Sequence, residues 1–357
     1  MTSLAGLRIV VAGAGAVGSA VSWRLQLAGA QVVQVDPAPF AENASGVAAG
    51  MLAPAFEALL DEASTGRYGL FLQARDEWPD FGDGLVGFGG GFERSGALWV
   101  ADEASQHEIL TGLTALGAQA QTLSARQARW ASPGLDAPLG AIHTPEDWRL
   151  DPRTLLQALR DAFIAEGGRF RSAMLQVVRD GVAALSDGET LEVDRVVLAT
   201  GLPPERLDLA PPELAWLQPI KGQIVRVAGA GPRLGPAVRA PGVYVTPSAE
   251  GSAIGATMEA GVSDRRTDPE ARDRLIALAA PLFPELAGAA AIAAAGVRAS
   301  TPDGLPMVGP SQVPGVVLAL GARRNGWLLA PMIARMVVEG VGADRWPPLF
   351  DPGRFSS

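Results

Sequence analysis

Leu7-Arg8-Ile9-Val10-Val11-Ala12-Gly13-Ala14-Gly15-Ala16-Val17-Gly18 is the stretch on which the fold turns. Leu7 to Val11 form a short apolar run suited to a buried strand, and Gly13, Gly15 and Gly18 follow it in G-x-G-x-x-G spacing. Residues from about Ala16 to Leu27 carry a helical pattern that Gly29 ends; Gln31 to Val35 make a second apolar strand, and Asp36 stands at its tip. Strand, glycine turn, helix, strand and acid in that order predict a βαβ unit that holds a dinucleotide. The first glycine permits the tight turn, the second lets a pyrophosphate approach the backbone, and the third lets helix and strand pack closely. Phosphate oxygens then meet the unpaired N–H groups at the helix start, and Asp36 would accept hydrogen bonds from a ribose. Glycine is 43 of 357 residues, so the bare motif can arise by chance; the complete βαβ order carries the reading.

The totals narrow the classes. A chain of 357 residues can build two domains with sizeable cores. Its 29 basic against 38 acidic residues give a formal charge of −9, which argues against a nucleic-acid surface. No apolar run approaches the roughly 20 residues that span a bilayer, and Ala287 to Val297 reads as a helix or loop within a soluble fold. Arg8 and Arg24 bracket the apolar opening, which does not read as a secretory signal. Cysteine is absent, so disulfides, thiolate metal sites, cysteine nucleophiles and one anchor for a covalent flavin are absent with it. Only His107 and His143 are present, and no metal centre or histidine-based triad is expected. Lys221 is the sole lysine, so a substrate carboxylate will be met by a guanidinium, which can grip it with two parallel hydrogen bonds.

Further along, the small residues from Ala44 and Ser45 to Gly50, Met51 and Pro54 let backbone approach a flat ligand, with the Ser45 hydroxyl near a pyrophosphate. Residues 57–78 read as an amphipathic helical region, 81–91 as a loop, 96–100 as a strand, and 103–130 as a polar, helical and peripheral segment. Asp151 and Pro152 supply the N-cap and first turn of a helix that Gly167-Gly168 stops. A strand near Met174 to Val178 and a hairpin through Asp187-Gly188 lead to a buried parallel strand, Arg195 to Ala199, which ends at Gly201 and rejoins the opening unit. The proline-rich residues 202–220 mark a crossing into alternating, antiparallel strands at 223–227, 242–246 and 252–257. After helical residues 268–280, the strand Val316 to Leu320, Gly321, the loop Ala322-Arg323-Arg324-Asn325-Gly326 and a helix from Trp327 form a second strand, glycine turn and helix.

Taken together, these segments resemble the D-amino acid oxidase superfamily of FAD enzymes, and among them the glycine oxidases of thiamine biosynthesis. The carriers are Gly13 to Gly18, Ala48-Ala49-Gly50-Met51-Leu52, Pro219-Ile220-Lys221-Gly222-Gln223, Tyr244-Val245-Thr246-Pro247, Gly255-Ala256-Thr257-Met258, Gly296-Val297-Arg298, Thr301 to Pro306 and Arg324 to Pro331, in that order over nearly the whole chain. The resemblance implies an α/β fold: a Rossmann-like FAD-binding domain with a discontinuous antiparallel-sheet substrate domain, of the D-amino acid oxidase and glutathione-reductase-2 kind. It divides the chain into 1–80, 140–205 and 296–345 for the cofactor, 81–139 and 206–295 for the substrate, and a tail at 346–357. Arg298 would clamp the substrate carboxylate, Tyr244 would donate a second hydrogen bond to it, Arg324 would sit by flavin and substrate, and Met258 would line the pocket. Non-covalent FAD would be held by Gly13, Gly15, Ala16, Val17, Gly18, Asp36, Pro37, Ala44, Ser45, Ala49, Gly50, Met51, Gly201, Gly321, Ala322, Arg324, Asn325, Gly326, Trp327 and Leu328, with the Met174 backbone against the adenine. The helix after Gly326 would stabilise negative charge on the reduced flavin.

By the same likeness a neutral amine would give hydride from its α-carbon to flavin N5, the imine would hydrolyse, and O2 would reoxidise the flavin to give peroxide. The side chains' task is then orientation and electrostatics. Glycine, sarcosine or an iminodiacetate-type amine is the implied substrate, in a cytoplasmic homo-oligomer. The pattern departs from the family at two places: Ala299 follows Arg298 where proline is usual, and Ala322-Arg323 replaces a histidine and an aromatic residue. Arg323 would therefore meet a second carboxylate, or else turn to solvent or an acidic neighbour. Four other readings stay open: an oxidase or dehydrogenase of a different small D-amino acid, a NAD-linked dehydrogenase, a tRNA-modifying oxidase of the same superfamily, and a nucleotide-binding regulatory module.

Overall fold

The computed structural model of the protein describes residues 3–203, 207–208 and 211–355. Its first half holds β1 (Arg8–Ala12), α1 (Ala16–Leu27), β2 (Gln31–Val35), α2 (Ala44–Val47), β3 (Met51–Leu52), α3 (Pro54–Leu60), α4 (Tyr68–Asp76), α5 (Trp78–Asp83), β4 (Phe92–Glu93), β5 (Ala97–Trp99), α6 (Glu103–Ala115), β6 (Gln121–Leu123), α7 (Ala125–Ala131), β7 (Ala141–Thr144), β8 (Trp148–Leu150) and α8 (Pro152–Ala165). Then follow β9 (Arg169–Arg171), β10 (Leu175–Arg179), β11 (Val182–Leu185), β12 (Thr190–Glu192), β13 (Arg195–Leu198), β14 (Gln218–Ala228), β15 (Ala237–Ala240), β16 (Val243–Ser248), β17 (Gly251–Gly255), β18 (Glu259–Ala260), α9 (Pro269–Ala279), β19 (Ala291–Ser300), β20 (Met307–Pro310), β21 (Val316–Leu320) and α10 (Gly326–Ala343).

Six strands form one sheet in the order β20-β21-β13-β1-β2-β9, parallel throughout except for β20. Both faces are covered, as a parallel sheet of β-branched residues requires. Val11 and Val197 face a core shared with α1, α8 and α10, while Val10 and Val196 face the hairpin sheet β10-β11-β12. The βαβ unit, the Asp151 cap of α8 and the return strand β13 lie where the sequence puts them. Helix α10 has 18 residues and, by length and composition, could cross a bilayer, contrary to the sequence reading that no run comes near; most of it is buried against α1.

The second sheet has nine strands, ordered β18-β14-β17-β16-β15-β5-β7-β6, with β19 also paired to β14. It corrects several expectations. The alanine-rich segment after Ala287 is the strand β19, antiparallel to β14 over ten residue pairs. Alanine and glycine sit there because β14 pairs along one side while α2 lies close: a methyl on Gly296 would come within 2.9 Å of Ala44 Cα. Propensity yields here to tertiary packing. Strand β7, in the range expected for the cofactor domain, pairs with β5 and β6 in this sheet, as β19 does with β14. Residues 103–130 include the edge strand β6, and 57–78 break into separate helices α3 and α4. Residues 346–355 are docked rather than a free tail, with Phe350 buried and Arg354 Nε 2.9 Å from Asp303.

Candidate functional site: a dinucleotide groove meeting a guanidinium-lined cavity

The groove of about 310 Å³ runs across the ends of the parallel strands and is lined by Gly13, Gly15, Ala16, Val17, Asp36, Ala44, Ser45, Gly201, Gly321, Ala322, Arg323, Arg324, Gly326 and Trp327. Both βα turns therefore open on it. Neither Gly15 nor Asn325 caps its own helix by a side chain, and the positive dipole ends of α1 and α10 face the same space. The glycines act as expected at Gly13, whose φ is 112° and whose added methyl would meet Ala199 O at 2.3 Å. Gly18 does not line the groove; a methyl there would strike Gly13 O at 2.2 Å, so it serves helix–strand packing. Ser45 Oγ accepts from Ala16 N at 2.9 Å, which leaves its own proton for a phosphate. Trp327 Nε1 donates to Ser45 O at 3.1 Å, tying the late helix to the early loop.

A cavity of about 270 Å³ adjoins the groove between Asp36, Pro37, Met174, Leu175 and Leu202. Asp36 accepts from Ala14 N at 2.7 Å and Ala38 N at 2.8 Å, fixing its carboxylate at the strand tip. Met174 lines this cavity; its N–H donates to Ser186 Oγ and its carbonyl accepts from Ser186 N, which leaves that carbonyl's second lone pair for a base. Two helix starts on one groove, close-packed glycines and a bounded pocket ending in an acid fit an extended dinucleotide such as FAD.

Beyond the groove lies a cavity of about 380 Å³ whose charged lining is Glu57, Arg239, Arg298 and Arg324, with Tyr244, Met51, Met258, Trp99 and Trp327 around them. Ala49, Gly50, Met51 and Asn325, expected at the cofactor, line this cavity, which shares Ala48, Arg298, Arg324 and Trp327 with the groove, and Leu328 lines neither: it is buried in the core with its carbonyl accepting from Trp78 Nε1. The floor is made by adjacent strands. Tyr244 on β16 lies across Gly255 of β17, and a methyl on Gly255 would fall 2.1 Å from Tyr244 Oη. Arg298 reaches from β19 across Gly222 of β14, where a methyl would fall 2.2 Å from Nη1. Two glycines thus make the trough in which ring and guanidinium lie. Neither the Arg298 guanidinium nor the Tyr244 hydroxyl has a hydrogen-bond partner among the described residues. Burial raises the Tyr244 pKa, opposed by Arg298, Arg324 and Arg239, so the phenol stays protonated and able to donate.

Arg323 does not enter this cavity. Its backbone is left-handed, with φ 50°, and its part-buried guanidinium is ion-paired with Asp61, so of the alternatives the sequence leaves for it, a second carboxylate or an acidic neighbour, the structure shows the acidic neighbour. The departure from aromatic to arginine is answered by that local acid. Sequence reasoning missed Glu57 and Arg239. A lone glutamate in the apolar run from Leu52 to Leu60 was the available signal for the first, and nothing local marked the second. Arg324 faces Glu57 with Nε 2.7 Å from Oε2 and donates from Nη2 to Oε1 at 3.1 Å; Arg239 Nη2 reaches Oε1 at 3.2 Å. Coulombic attraction to Glu57 raises the Arg324 pKa, whereas burial lowers that of Arg298, which has no such partner. Arg226 on β14 ties the second sheet to α2, donating to Gly46 O, Val47 O and Ala48 O at that helix's C-terminal end.

A nucleotide groove over a parallel sheet, opening into a guanidinium-lined cavity on a mostly antiparallel one, fits a dinucleotide-dependent oxidoreductase. The family profile for FAD dependent oxidoreductase matches residues 8–340, and the chain belongs to that family, with FAD as its cofactor. It is 30% identical to a glycine oxidase from Pseudomonas aeruginosa over 98% of both chains. It is 31% identical to the bifunctional protein ThiO/ThiG of Synechocystis, of which it spans only 54%. The crystal structure of glycine oxidase from Geobacillus kaustophilus superposes with a TM-score of 0.81 at 28% identity, covering 98% of each chain.

Proposed function

We propose that this FAD-dependent oxidoreductase oxidises glycine or an N-substituted glycine such as sarcosine or an iminodiacetate-type amine. The observation that carries the reading is the pair of unpartnered groups, the Arg298 guanidinium and the Tyr244 hydroxyl, side by side over the Gly222–Gly255 trough. A carboxylate completes both. Arg298 lines the groove as well as the cavity, so a carboxylate held there brings its α-carbon to their junction. When bound, FAD would supply a two-electron acceptor for the hydride leaving that carbon, with O2 as the final oxidant, so that amine, O2 and water would give glyoxylate, the released amine and H2O2.

The protein's own work is binding and orientation. Glu57, the one carboxylate in the lining, is engaged by two guanidinium groups, so it is not a free base and the amine reacts in its neutral form. Trp327 and the loop at Ala48 wall the junction. The experiment is anaerobic mixing of the purified yellow holoprotein with glycine, sarcosine or D-alanine, followed by admission of oxygen. Bleaching by glycine or sarcosine, then recolouring with stoichiometric peroxide, is the expected result. A flavin that no glycine derivative bleaches, or that D-alanine bleaches faster, ends the reading.

A further inference from the structure

We infer that the cavity is built for an amine carrying two carboxylates, and that Arg239 is the specificity-determining residue that receives the one Arg298 does not. The inference rests on the reading of Arg298 as the first carboxylate's site. Three guanidinium groups and one carboxylate line the cavity, a formal excess of two positive charges, and a monocarboxylate answers one of them. Arg323 adds nothing to that excess, being paired with Asp61.

The remaining charge is located by geometry. Arg324 donates to Glu57 Oε1 and its Nε lies 2.7 Å from Oε2 as an ion pair, whereas Arg239 touches only Oε1, through Nη2. Arg239 is 5% exposed, and its buried Nε has no hydrogen-bond partner. Its one further contact from Nη2 is the Met51 sulfur at 3.4 Å, a weak acceptor. A buried cation with unmet donors is costly unless a ligand completes it. Arg298 and Arg324 also border the cofactor groove, but Arg239 does not, so its charge acts on the substrate and not on the flavin. Position agrees with that assignment. Arg239 on β15 stands directly opposite Tyr244 on β16, so both side chains rise from the same face of the sheet. The Phe56 ring, 5.3 Å from its guanidinium carbon, holds it in place. One carboxylate at Arg298 and another at Arg239 then flank the Tyr244 hydroxyl, with the amine between them. N-carboxymethyl amines and short amino dicarboxylates have that chemistry.

The test compares iminodiacetate with sarcosine on the holoenzyme, by kcat/KM and by the binding of unreactive malonate against acetate, read from the flavin spectrum. Iminodiacetate is expected to exceed sarcosine by about tenfold or more, and Arg239→Gln to reduce that ratio by about tenfold. Glu57→Gln removes the cavity's only negative charge and is expected to shift binding the other way, tightening malonate more than acetate. Should Arg239→Gln not fold, the native ratio and Glu57→Gln decide. Sarcosine preferred over iminodiacetate, or a ratio that neither substitution moves, overturns the inference while leaving the glycine-derivative reading intact. If neither amine bleaches the flavin, that underlying reading fails, and this one with it.

Discussion

Around the cofactor groove the working groups belong to the main chain, whereas around the substrate cavity they belong to long side chains. At Gly13, Gly15, Gly321 and the starts of α1 and α10, a tight turn and a row of N–H groups do what is needed, and almost any further atom would obstruct it. At Arg298, Arg239, Arg324 and Glu57 the cavity presents charges carried on separate elements of the chain, with Arg298 lying over Gly222. The first region tolerates few backbone changes, because its glycines pack against main chain. The second tolerates local backbone variation but fails when a remote element moves.

Substitutions can break that contrast or sharpen it. The largest effect is expected from Gly13→Ala, which places a methyl 2.3 Å from Ala199 O at a φ of 112°. Left-handed strain and overpacking together cost about 2–6 kcal/mol, and the purified protein should be colourless or fail to accumulate. A flavin-replete Gly13→Ala protein would show that the turn has room for a methyl group. Arg298→Ala should lose about 2–5 kcal/mol of carboxylate binding, seen as a raised KM, while flavin content is retained. If flavin and substrate binding fall together, the two regions are not separable.

Asp147 tests the remote support of the cavity. It accepts from Ala55 N at 2.8 Å and Phe56 N at 3.3 Å, and so holds the start of α3, the helix that carries Glu57. Burial pushes its pKa up to about 7, against the pull of Arg239 and those two N–H groups. The folded protein then keeps a proton that the unfolded chain releases above about pH 4, so stability falls by about 1.4 kcal/mol per pH unit from there toward pH 7. Asp147→Asn should flatten this slope in urea midpoints taken across that range; an unchanged slope would place the titration elsewhere. The smallest effect is expected from Ser45→Ala, which leaves Ala16 N without its acceptor and should weaken FAD binding by about 1 kcal/mol in an equilibrium titration.

The stretch from Leu7 to Asp36 determined the nucleotide half of this protein by itself. Strand period, glycine spacing and helix boundaries are local, and the structure places β1, α1, β2 and the late turn at Gly321 where the sequence reading does. Resemblance added Arg298, Tyr244 and Arg324, which the fold brings to one cavity. Only the tertiary structure decided the rest. The alanine-rich run from Ala291 became a strand because β14 pairs with it along its whole length, a long-range term that propensity does not contain. Arg323 left the site because Asp61, distant in sequence, stands beside it, and Arg239 entered because β15 pairs with β16 opposite Tyr244. A charge's role depends on which opposite charge comes near it, and that is settled by chain segments the local sequence does not mention.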